Sequence, residues 1–293
     1  MSVPATHDVP QGTRAPDSAR LLSIADLEFA YPDGLVAVRG LDLDLQPGEV
    51  VSVVGPSGCG KSTLLSVLSG MKAAKAGRVD WNESLLADTV AERGGERRKP
   101  RRRRLSLVFQ RDTVLPWKTV EDNVALGLNY VSITKEEREE RITSLLRLAK
   151  MEDFRGAYPK QLSGGMRRRV ALLTGVAPLP HLVLLDEPFA ALDEPTRVAV
   201  HADLLEIVYR LGLAVILVTH DIAEALTLSD RVVILTNRPA RVAKIVETGF
   251  GRDRDIRALR ETPAFQRMYG ETWHELWKQA EIKPADRPTD RGR

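Results

Sequence analysis

A glycine-rich segment, residues 55–62, has the residue types and the spacing of a phosphate-binding loop. It reads Gly-Pro-Ser-Gly-Cys-Gly-Lys-Ser and directly follows the apolar run Val50 to Val54. Glycines let the backbone turn its N–H groups toward phosphate oxygens, and the Lys61 ammonium adds a positive charge near the β and γ groups. A helix that begins near Lys61 points the positive end of its dipole at the same anion. The segment therefore predicts a nucleotide-binding site.

Two acidic residues after a second apolar run supply groups that nucleotide hydrolysis needs. Leu182 to Leu185 is continuous in aliphatic residues and is followed by Asp186 and Glu187. Asp186 is placed to hold Mg²⁺ with the hydroxyl of Ser62, after which Thr63 adds a second hydroxyl. Glu187 is then the candidate to orient or deprotonate the water that attacks the γ-phosphate. The alternative, a pair of solvated acids, is disfavoured by the aliphatic strand and the phosphate loop.

The order of strands and helices predicts an α/β fold, a P-loop NTPase core with a mostly parallel sheet and an N-terminal antiparallel β region. Residues 22–29 and 41–45 alternate apolar with polar, as half-buried antiparallel strands do. Apolar runs that are nearly continuous at 50–54 and continuous at 182–185 and 214–218 suit strands buried on both faces. Ligands of such folds bind at the carboxyl ends of the strands. The residues found there are Gly55 to Ser62, Gln110, Asp186, Glu187 and His220.

Residues 111 to about 177 are predicted to form an α-helical subdomain inserted into this core. Thr134 to Glu137 has the spacing of a capping box, and an apolar stripe follows it. The remaining boundaries are a flexible leader over 1–20, a nucleotide-binding domain over 21–250, and a C-terminal helical extension and tail over 251–293.

The C-terminal extension carries apolar residues at roughly helical spacing. These residues are Leu259, Phe265, Met268, Tyr269, Trp273, Leu276 and Trp277. Two tryptophans on a polar helix are compatible with a membrane surface, but acidic neighbours such as Glu271 and Glu275 oppose an anionic bilayer. We expect the helix to dock this apolar face on the domain or on a partner.

The composition excludes several classes of protein. Hydrophobic residues are 43% and charged residues 28% of the 293 residues, which is near the average for globular proteins. The sequence has no apolar run long enough to cross a bilayer and no apolar block of a signal peptide, so we expect any work at a membrane to pass through a partner. The single cysteine, Cys59, fits a reducing compartment. Its place near a helix start predicts a lowered thiol pKa and a target for alkylation without a catalytic role.

A basic tract, Arg97 to Arg104, is the one feature that suggests nucleic acid. Lys99 and six arginines surround Pro100 in it, although the net charge of the whole chain is only +3. No aromatic residues interleave to stack on bases, and the tract lies inside a domain rather than on a tail. We therefore predict a solvated surface loop and no nucleic-acid partner.

The Walker A loop and six further motifs between residues 21 and 250 resemble those of the ATP-binding subunits of ABC transporters. The matches are the Walker A loop Gly55 to Ser62, the aromatic position Tyr31, the Q-loop residue Gln110, the signature Leu162 to Met166 (LSGGM for LSGGQ), Walker B at Leu182 to Glu187, the D-loop Ala191 to Asp193, and the switch histidine His220. Thr174 departs from the family, which usually carries an arginine there. This departure puts the packing of the helix after the signature in doubt more than the chemistry.

The resemblance implies ATP and Mg²⁺ as ligands and a role for each matched residue. The residues that it assigns to ATP are Tyr31, which would stack on adenine, and Gly55, Pro56, Ser57, Gly58, Cys59, Gly60, Lys61, Ser62, Thr63, Gln110, Ser163, Gly164 and Gly165. Those that it assigns to Mg²⁺ are Ser62, Gln110 and Asp186. Those that it assigns to catalysis are Glu187, His220 and Lys61.

The resemblance also implies an ATPase that energises transport at the cytoplasmic face of a membrane. ATP would be sandwiched in a head-to-tail dimer between the Walker A loop of one copy and Ser163 to Gly165 of the other. Leu115 to Trp117, followed by Thr119 to Val124, resembles the nitrate, sulfonate and taurine import group. Residues 111–130 would then contact integral-membrane permease subunits, and a solute-binding protein would be an indirect partner.

Two rival functions belong to other classes of ABC ATPase. A DNA-repair or chromosome ATPase would carry long heptad insertions between the halves of the nucleotide site, and this sequence shows none. A translation factor acting on ribosomes would need two tandem nucleotide domains, whereas this chain has one.

Overall fold

The computed structural model describes residues 20–89, 92–93, 96–97, 104–111 and 113–281, the last helix ending at Glu281. Nearly all of the predicted leader, most of the basic tract from Arg97 to Arg104, and the tail from Lys283 lie outside these residues.

Strands and helices alternate along the described chain. The strands are β1 (Leu22–Ala30), β2 (Val36–Leu45), β3 (Val50–Val54), β4 (Ala76–Trp81), β5 (Glu92–Arg93), β6 (Glu96–Arg97), β7 (Leu105–Val108), β8 (Leu182–Asp186), β9 (Ala214–Val218), β10 (Arg231–Leu235) and β11 (Val242–Glu247). The α-helices are α1 (Lys61–Leu68), α2 (Val120–Leu128), α3 (Lys135–Leu148), α4 (Gly164–Val176), α5 (Glu194–Leu211), α6 (Ile222–Leu228), α7 (Ile256–Glu261) and α8 (Pro263–Glu281). Three short 3-10 helices cover Glu83–Thr89, Glu152–Phe154 and Pro159–Gln161.

The central sheet has the order β11-β10-β3-β9-β8-β7, with β11 antiparallel at one edge and the other five strands parallel. Every residue of β3 and β9 is buried, as their nearly continuous apolar sequences predict, and Ser52 in β3 is the one polar residue among them. One face packs on α2 to α5, and the other packs on α1 and the N-terminal strands. The predicted fold class is confirmed, and the carboxyl ends of β3, β7, β8 and β9 lie on one side of the sheet.

The N-terminal antiparallel sheet has three strands in the order β2-β1-β4. The alternating patterns predicted β1 and β2, but β4 was missed because most of its residues are exposed and leave no apolar period. This sheet contacts the connection between β10 and β11 at Ala240, whose N–H donates to the carbonyl of Ala37 at 2.8 Å and whose carbonyl accepts from the N–H of Arg39 at 3.1 Å. The two sheets therefore meet where β10 connects to β11.

Helices α2, α3 and α4 lie within the range predicted for a helical subdomain, and the subdomain boundary stays a prediction. Thr134 and Glu137 form the expected capping box at the start of α3. Thr174, which departs from the family pattern, donates its hydroxyl to the carbonyl of Asn123 in α2 at 3.1 Å and to that of Val170 at 2.9 Å. Its side chain thus joins α4 to α2, and the packing of these helices does not require the usual arginine.

The C-terminal helix α8 docks only part of its predicted apolar face. Phe265, Met268, Tyr269 and Leu276 pack with α6 and β10, as does Leu259 of α7. Trp273 and Trp277 instead stack on each other with ring centroids 6.0 Å apart, and they are 46% and 56% exposed. The domain does not cover these two rings, and their docking on a partner stays a prediction. None of the helices in the described ranges is long and apolar enough to cross a membrane.

Candidate functional site

The phosphate loop connects β3 to α1 and requires its glycines. Gly58 and Gly60 have φ of 73° and 127°, values that L side chains rarely adopt. A Cβ on Gly60 would lie 2.8 Å from the carbonyl oxygen of Ala37, and one on Gly55 would lie 2.9 Å from Sγ of Cys59. The close packing around the loop thus excludes side chains at these positions and leaves the backbone free to face a phosphate group.

Lys61 is the first residue of α1 and lies inside the loop. Its side chain is buried, and Nζ donates to the carbonyl oxygens of Gly55 at 2.8 Å and Pro56 at 3.1 Å. These bonds hold the ammonium among the backbone groups of the loop. The same ammonium can therefore shape the loop and attract the phosphates of a nucleotide.

Ser62 and Asp186 meet at the mouth of the site. The hydroxyl of Ser62 donates to Oδ1 of Asp186 at 3.1 Å, although 124 residues separate them. Burial raises the pKa of Asp186, the Ser62 hydrogen bond opposes that rise, and the charge of Glu187 adds to it. A carboxylate and a hydroxyl oxygen are hard donors of the kind that Mg²⁺ uses beside phosphate oxygens. The donor set fits Mg²⁺, and the cation would offset the burial of the Asp186 charge.

Glu187 is the point at which three strand ends converge. Nε2 of Gln110, after β7, donates to Oε2 of Glu187 at 3.2 Å, and Nδ1 of His220, after β9, lies 3.4 Å from the same oxygen. The backbone N–H of Glu187 donates to the carbonyl of Val218 at 2.8 Å. Its φ of 44° is uncommon for a residue other than glycine. Strong local restraint therefore aims this carboxylate between Gln110 and His220.

Tyr31 lies near the loop but makes contacts that the sequence did not indicate. Its hydroxyl shares a 2.7 Å hydrogen bond with Oγ1 of Thr63 in α1. Phe29 packs edge-on against its ring at 5.1 Å, and Nζ of Lys72 lies over the ring at 4.7 Å from the centroid. Lys72 was missed because a lone lysine after a helix carries no signal in the sequence. Stacking of adenine on Tyr31 stays a prediction, and Lys72 would adjoin the same ring.

The signature residues lie on another part of the molecule's surface. Ser163 caps α4 by accepting a hydrogen bond from the N–H of Met166 at 3.3 Å. Gly165 faces α5, where a Cβ would lie 2.4 Å from Cγ2 of Thr196. Among the described residues, the neighbours of Ser163 to Gly165 belong to α4, α5 and the segment before α5 rather than to residues 55–62. Completion of the site by a second copy stays a prediction.

Cys59 differs from the expected reactive thiol. The side chain is fully buried beside Gly55, in a hydrophobic cluster that also contains Leu235. Burial raises the pKa of the Cys59 thiol, and the charge of Lys61 and nearby backbone N–H groups only partly oppose this. The expectation of a lowered pKa was wrong, because desolvation outweighs the helix terminus. The backbone of Cys59 remains part of the loop.

Native protein is expected to react with N-ethylmaleimide at least roughly tenfold more slowly than protein in denaturant, because burial hides the thiol and disfavours the thiolate. Mass spectrometry of intact protein gives a clear readout, since Cys59 is the single cysteine. Equal labelling rates in the native and denatured samples would contradict this burial.

The known sequences that this chain resembles are ATP-binding proteins of ABC transporters. A sequence model of a family described as ABC transporter matches residues 38–190. The nitrate import ATP-binding protein NrtC of Synechococcus elongatus is 39% identical, and the match covers 87% of this chain but 38% of NrtC. MJ0412 of Methanocaldococcus jannaschii, an uncharacterized ABC transporter ATP-binding protein, is 41% identical over 75% of this chain and 78% of MJ0412. The taurine import ATP-binding protein TauB of Rhizobium johnstonii is 37% identical over 79% of this chain and 86% of TauB.

Solved structures share the fold. The dimeric structure of MJ0796, a bacterial ABC transporter cassette, matches with a TM-score of 0.61 and 28% identity over 78% of this chain and 98% of MJ0796. The structure of cbiO1 from Clostridium perfringens, part of a transporter complex cbiONQ, matches with a TM-score of 0.68 and 23% identity over 87% of this chain and 99% of cbiO1. The likeness to cbiO1 is one of fold.

Proposed function

We propose, from the premise that this chain belongs to the ABC transporter family of ATP-binding proteins, that it hydrolyses ATP to energise an importer. The observation that carries the proposal is the convergence of Gln110 and His220 on Glu187 beside the phosphate loop. A loop alone binds a nucleotide, whereas a restrained carboxylate at its mouth can act on water.

ATP binding would begin with its phosphates in residues 55–62. The backbone N–H groups of the loop, the start of α1 and the Lys61 ammonium all present positive charge there. Ser62, Asp186 and Gln110 would hold Mg²⁺, with Gln110 contributing its amide oxygen. When bound, Mg²⁺ supplies charge neutralisation at the β and γ phosphates. Thr63 lies next to this region, and Tyr31 is the candidate to support the base.

Hydrolysis would depend on Glu187 as the group that orients or deprotonates the attacking water. His220 lies close enough to hold the Glu187 carboxylate, and Gln110 contacts the same carboxylate from the strand on the other side of β8. These three side chains come from loops, so small shifts of β7 or β9 would change the geometry at the water. Through this arrangement, a change of the bound nucleotide would move the segment that follows Gln110 and so affect a partner bound to that segment.

A second copy would complete the site through Ser163, Gly164 and Gly165. The N-terminus of α4 presents free backbone N–H groups beside the exposed Ser163 hydroxyl, which suits a phosphate. The dimeric cassette of MJ0796 supports a dimer as the working form. ATP would then hold two copies head to tail, and hydrolysis would release them.

The other partners would be integral-membrane permease subunits, with the chain bound peripherally at their cytoplasmic face. Residues 111–130 follow Gln110 and include Trp117, which is 69% exposed and suited to a protein contact. The names of NrtC and TauB support a small anion or small organic solute, such as nitrate, a sulfonate or taurine, as the cargo. A solute-binding protein would deliver that cargo to the permease.

Purification of the tagged chain from its native membranes is expected to recover permease subunits. The recovered complex in proteoliposomes should take up nitrate, a sulfonate or taurine only when ATP is supplied on the side that carries this chain. A matched sample with a non-hydrolysable ATP analogue should show no sustained uptake. Stimulation of ATPase activity by DNA or ribosomes, with no membrane subunit recovered, would favour the rival function and contradict transport.

A further inference from the structure

The Arg197 guanidinium, near the start of α5, connects two loops of the candidate site. Nη1 donates to Oδ2 of Asp221 at 3.0 Å, and Nη2 donates to the backbone carbonyl of Leu192 at 2.9 Å. Oε2 of Glu194 lies 3.3 Å from Nη1. The side chain of Arg197 is 20% exposed and that of Asp221 is 30% exposed, so both charges are largely shielded from solvent.

Asp221 directly follows His220 in the chain, so its contact with Arg197 also affects the position of His220. Oδ1 of Asp221 accepts a hydrogen bond from the N–H of Glu224 at 3.0 Å and so caps α6. The N–H of Asp221 donates to Oγ1 of Thr219 at 3.0 Å. These bonds leave Asp221 little freedom of its own. A displacement of its carboxylate would therefore shift the backbone that carries His220 toward Glu187.

Leu192 lies in the other loop, residues 188–193, which leads from Glu187 into α5. Phe189 anchors the loop in the core with no exposed surface, and the N–H of Leu192 donates to the carbonyl of Phe189 at 3.1 Å. Asp193 caps α5 through a bond from the N–H of Thr196 at 3.3 Å. The bond from Arg197 to the Leu192 carbonyl ties this loop to the one that carries His220.

We infer that Arg197 is a positioning residue for ATP hydrolysis: it sets the distance between His220 and Glu187 by holding their two loops together. The inference rests on the proposed function. A planar guanidinium can bond a carboxylate and a carbonyl at once in fixed directions, which a lysine ammonium on a flexible stem does less well. An ordinary surface ion pair would make one such contact and contribute little.

Sequence alone did not point to Arg197, because its partners lie 24 residues away at Asp221 and five residues away at a backbone carbonyl. The bond to Leu192 uses a backbone carbonyl, which any residue type at that position would supply, so the sequence carries no signal for it. Nε of Arg197 is buried and makes no hydrogen bond within the described part of the chain, so the guanidinium depends on these contacts.

Arg197→Gln is expected to lower kcat for ATP roughly 10- to 100-fold, because a small misplacement of catalytic groups has effects of this size. The Kd for a fluorescent ATP analogue should change by less than about threefold, since the phosphate loop is untouched. Arg197→Lys should recover part of kcat, because lysine restores the charge but not both bonds. Arg210→Gln is the matched control on the same helix, where the arginine pairs with Glu206 and is 65% exposed; its kcat should equal that of the wild type.

A double-mutant cycle separates positioning from plain stabilisation. Asp221→Asn should lower kcat to a similar degree, and the double variant should be no slower than either single variant, since both remove one link. The inference would be overturned if the fold-loss of kcat in the double variant equalled the product of the two single losses. Wild-type kcat in Arg197→Gln would overturn it as well. So would an Arg197→Gln variant that loses ATP binding and melts early while Asp221→Asn stays fully active. Absence of ATP hydrolysis by the wild-type chain with its partners would instead overturn the proposed function.

Discussion

Glu187→Gln is expected to lower ATP turnover by a factor on the order of 10² to 10⁴, which is the range that a positioned general base contributes. The amide has the shape of the carboxylate and can still contact Gln110 and His220, but it cannot accept the proton of the attacking water. ATP affinity should stay within about threefold of the wild type, because the phosphate loop is unchanged. With hydrolysis slowed, ATP should hold the chain as a dimer. Single-turnover phosphate release and size-exclusion chromatography with ATP measure the two effects.

Glu206→Gln is the control for this variant. Glu206 lies on α5 and pairs with Arg210 near the surface, so the same change there should leave turnover and oligomeric state unaltered. Wild-type turnover in Glu187→Gln would remove Glu187 from the role of base. Slow turnover without an ATP-dependent dimer would keep that role and contradict the sandwich arrangement.

Lys61→Ala is expected to weaken ATP binding on the order of 10²- to 10³-fold. A unit charge about 4 Å from a phosphate charge is worth about 4 kcal/mol at an effective dielectric constant of about 20, and loss of part of that energy gives this range. The variant also loses the bonds from Nζ to Gly55 and Pro56, so the loop itself becomes less ordered. Titration with a fluorescent ATP analogue measures the affinity.

Lys75→Ala is the matched control, because Lys75 pairs with Glu28 on the surface with 61% of its side chain exposed. Its affinity for ATP should equal that of the wild type, and thermal melting should show both variants folded. Unchanged ATP affinity in a folded Lys61→Ala protein would rule out residues 55–62 as the phosphate cradle.

The predicted fold rested on features that are local in sequence. Nearly continuous apolar runs identified β3, β8 and β9, because strands covered on both faces bury apolar residues at most positions. The family resemblance drawn from the Walker A loop and six further motifs is confirmed by the family match and by relatives with 37% to 41% identity. Such motifs are readable because each needs particular residues at fixed spacing.

The sequence did not predict properties that depend on how much of a side chain the folded chain covers. Helical spacing grouped Trp273 and Trp277 with the apolar residues of α8, but the domain covers only part of that face and leaves these two side chains exposed, so their docking on a partner stays a prediction. For Cys59 the nearby helix terminus was visible in the sequence, whereas the enclosure that raises the thiol pKa was not. Neither periodicity nor neighbouring residues reveal how much of a side chain the rest of the chain covers.

The sequence by itself determined the chemistry available to this protein: a glycine-rich phosphate loop with Lys61 and Ser62, and the acids Asp186 and Glu187 at the end of a buried strand. Only the tertiary structure decided which of these groups act on one another. Gln110 reaches Glu187 across 77 residues, and Arg197 reaches Asp221 across 24. Contacts of this kind depend on strand order and loop direction, which arise from packing of the whole sheet rather than from the residues that make the contact.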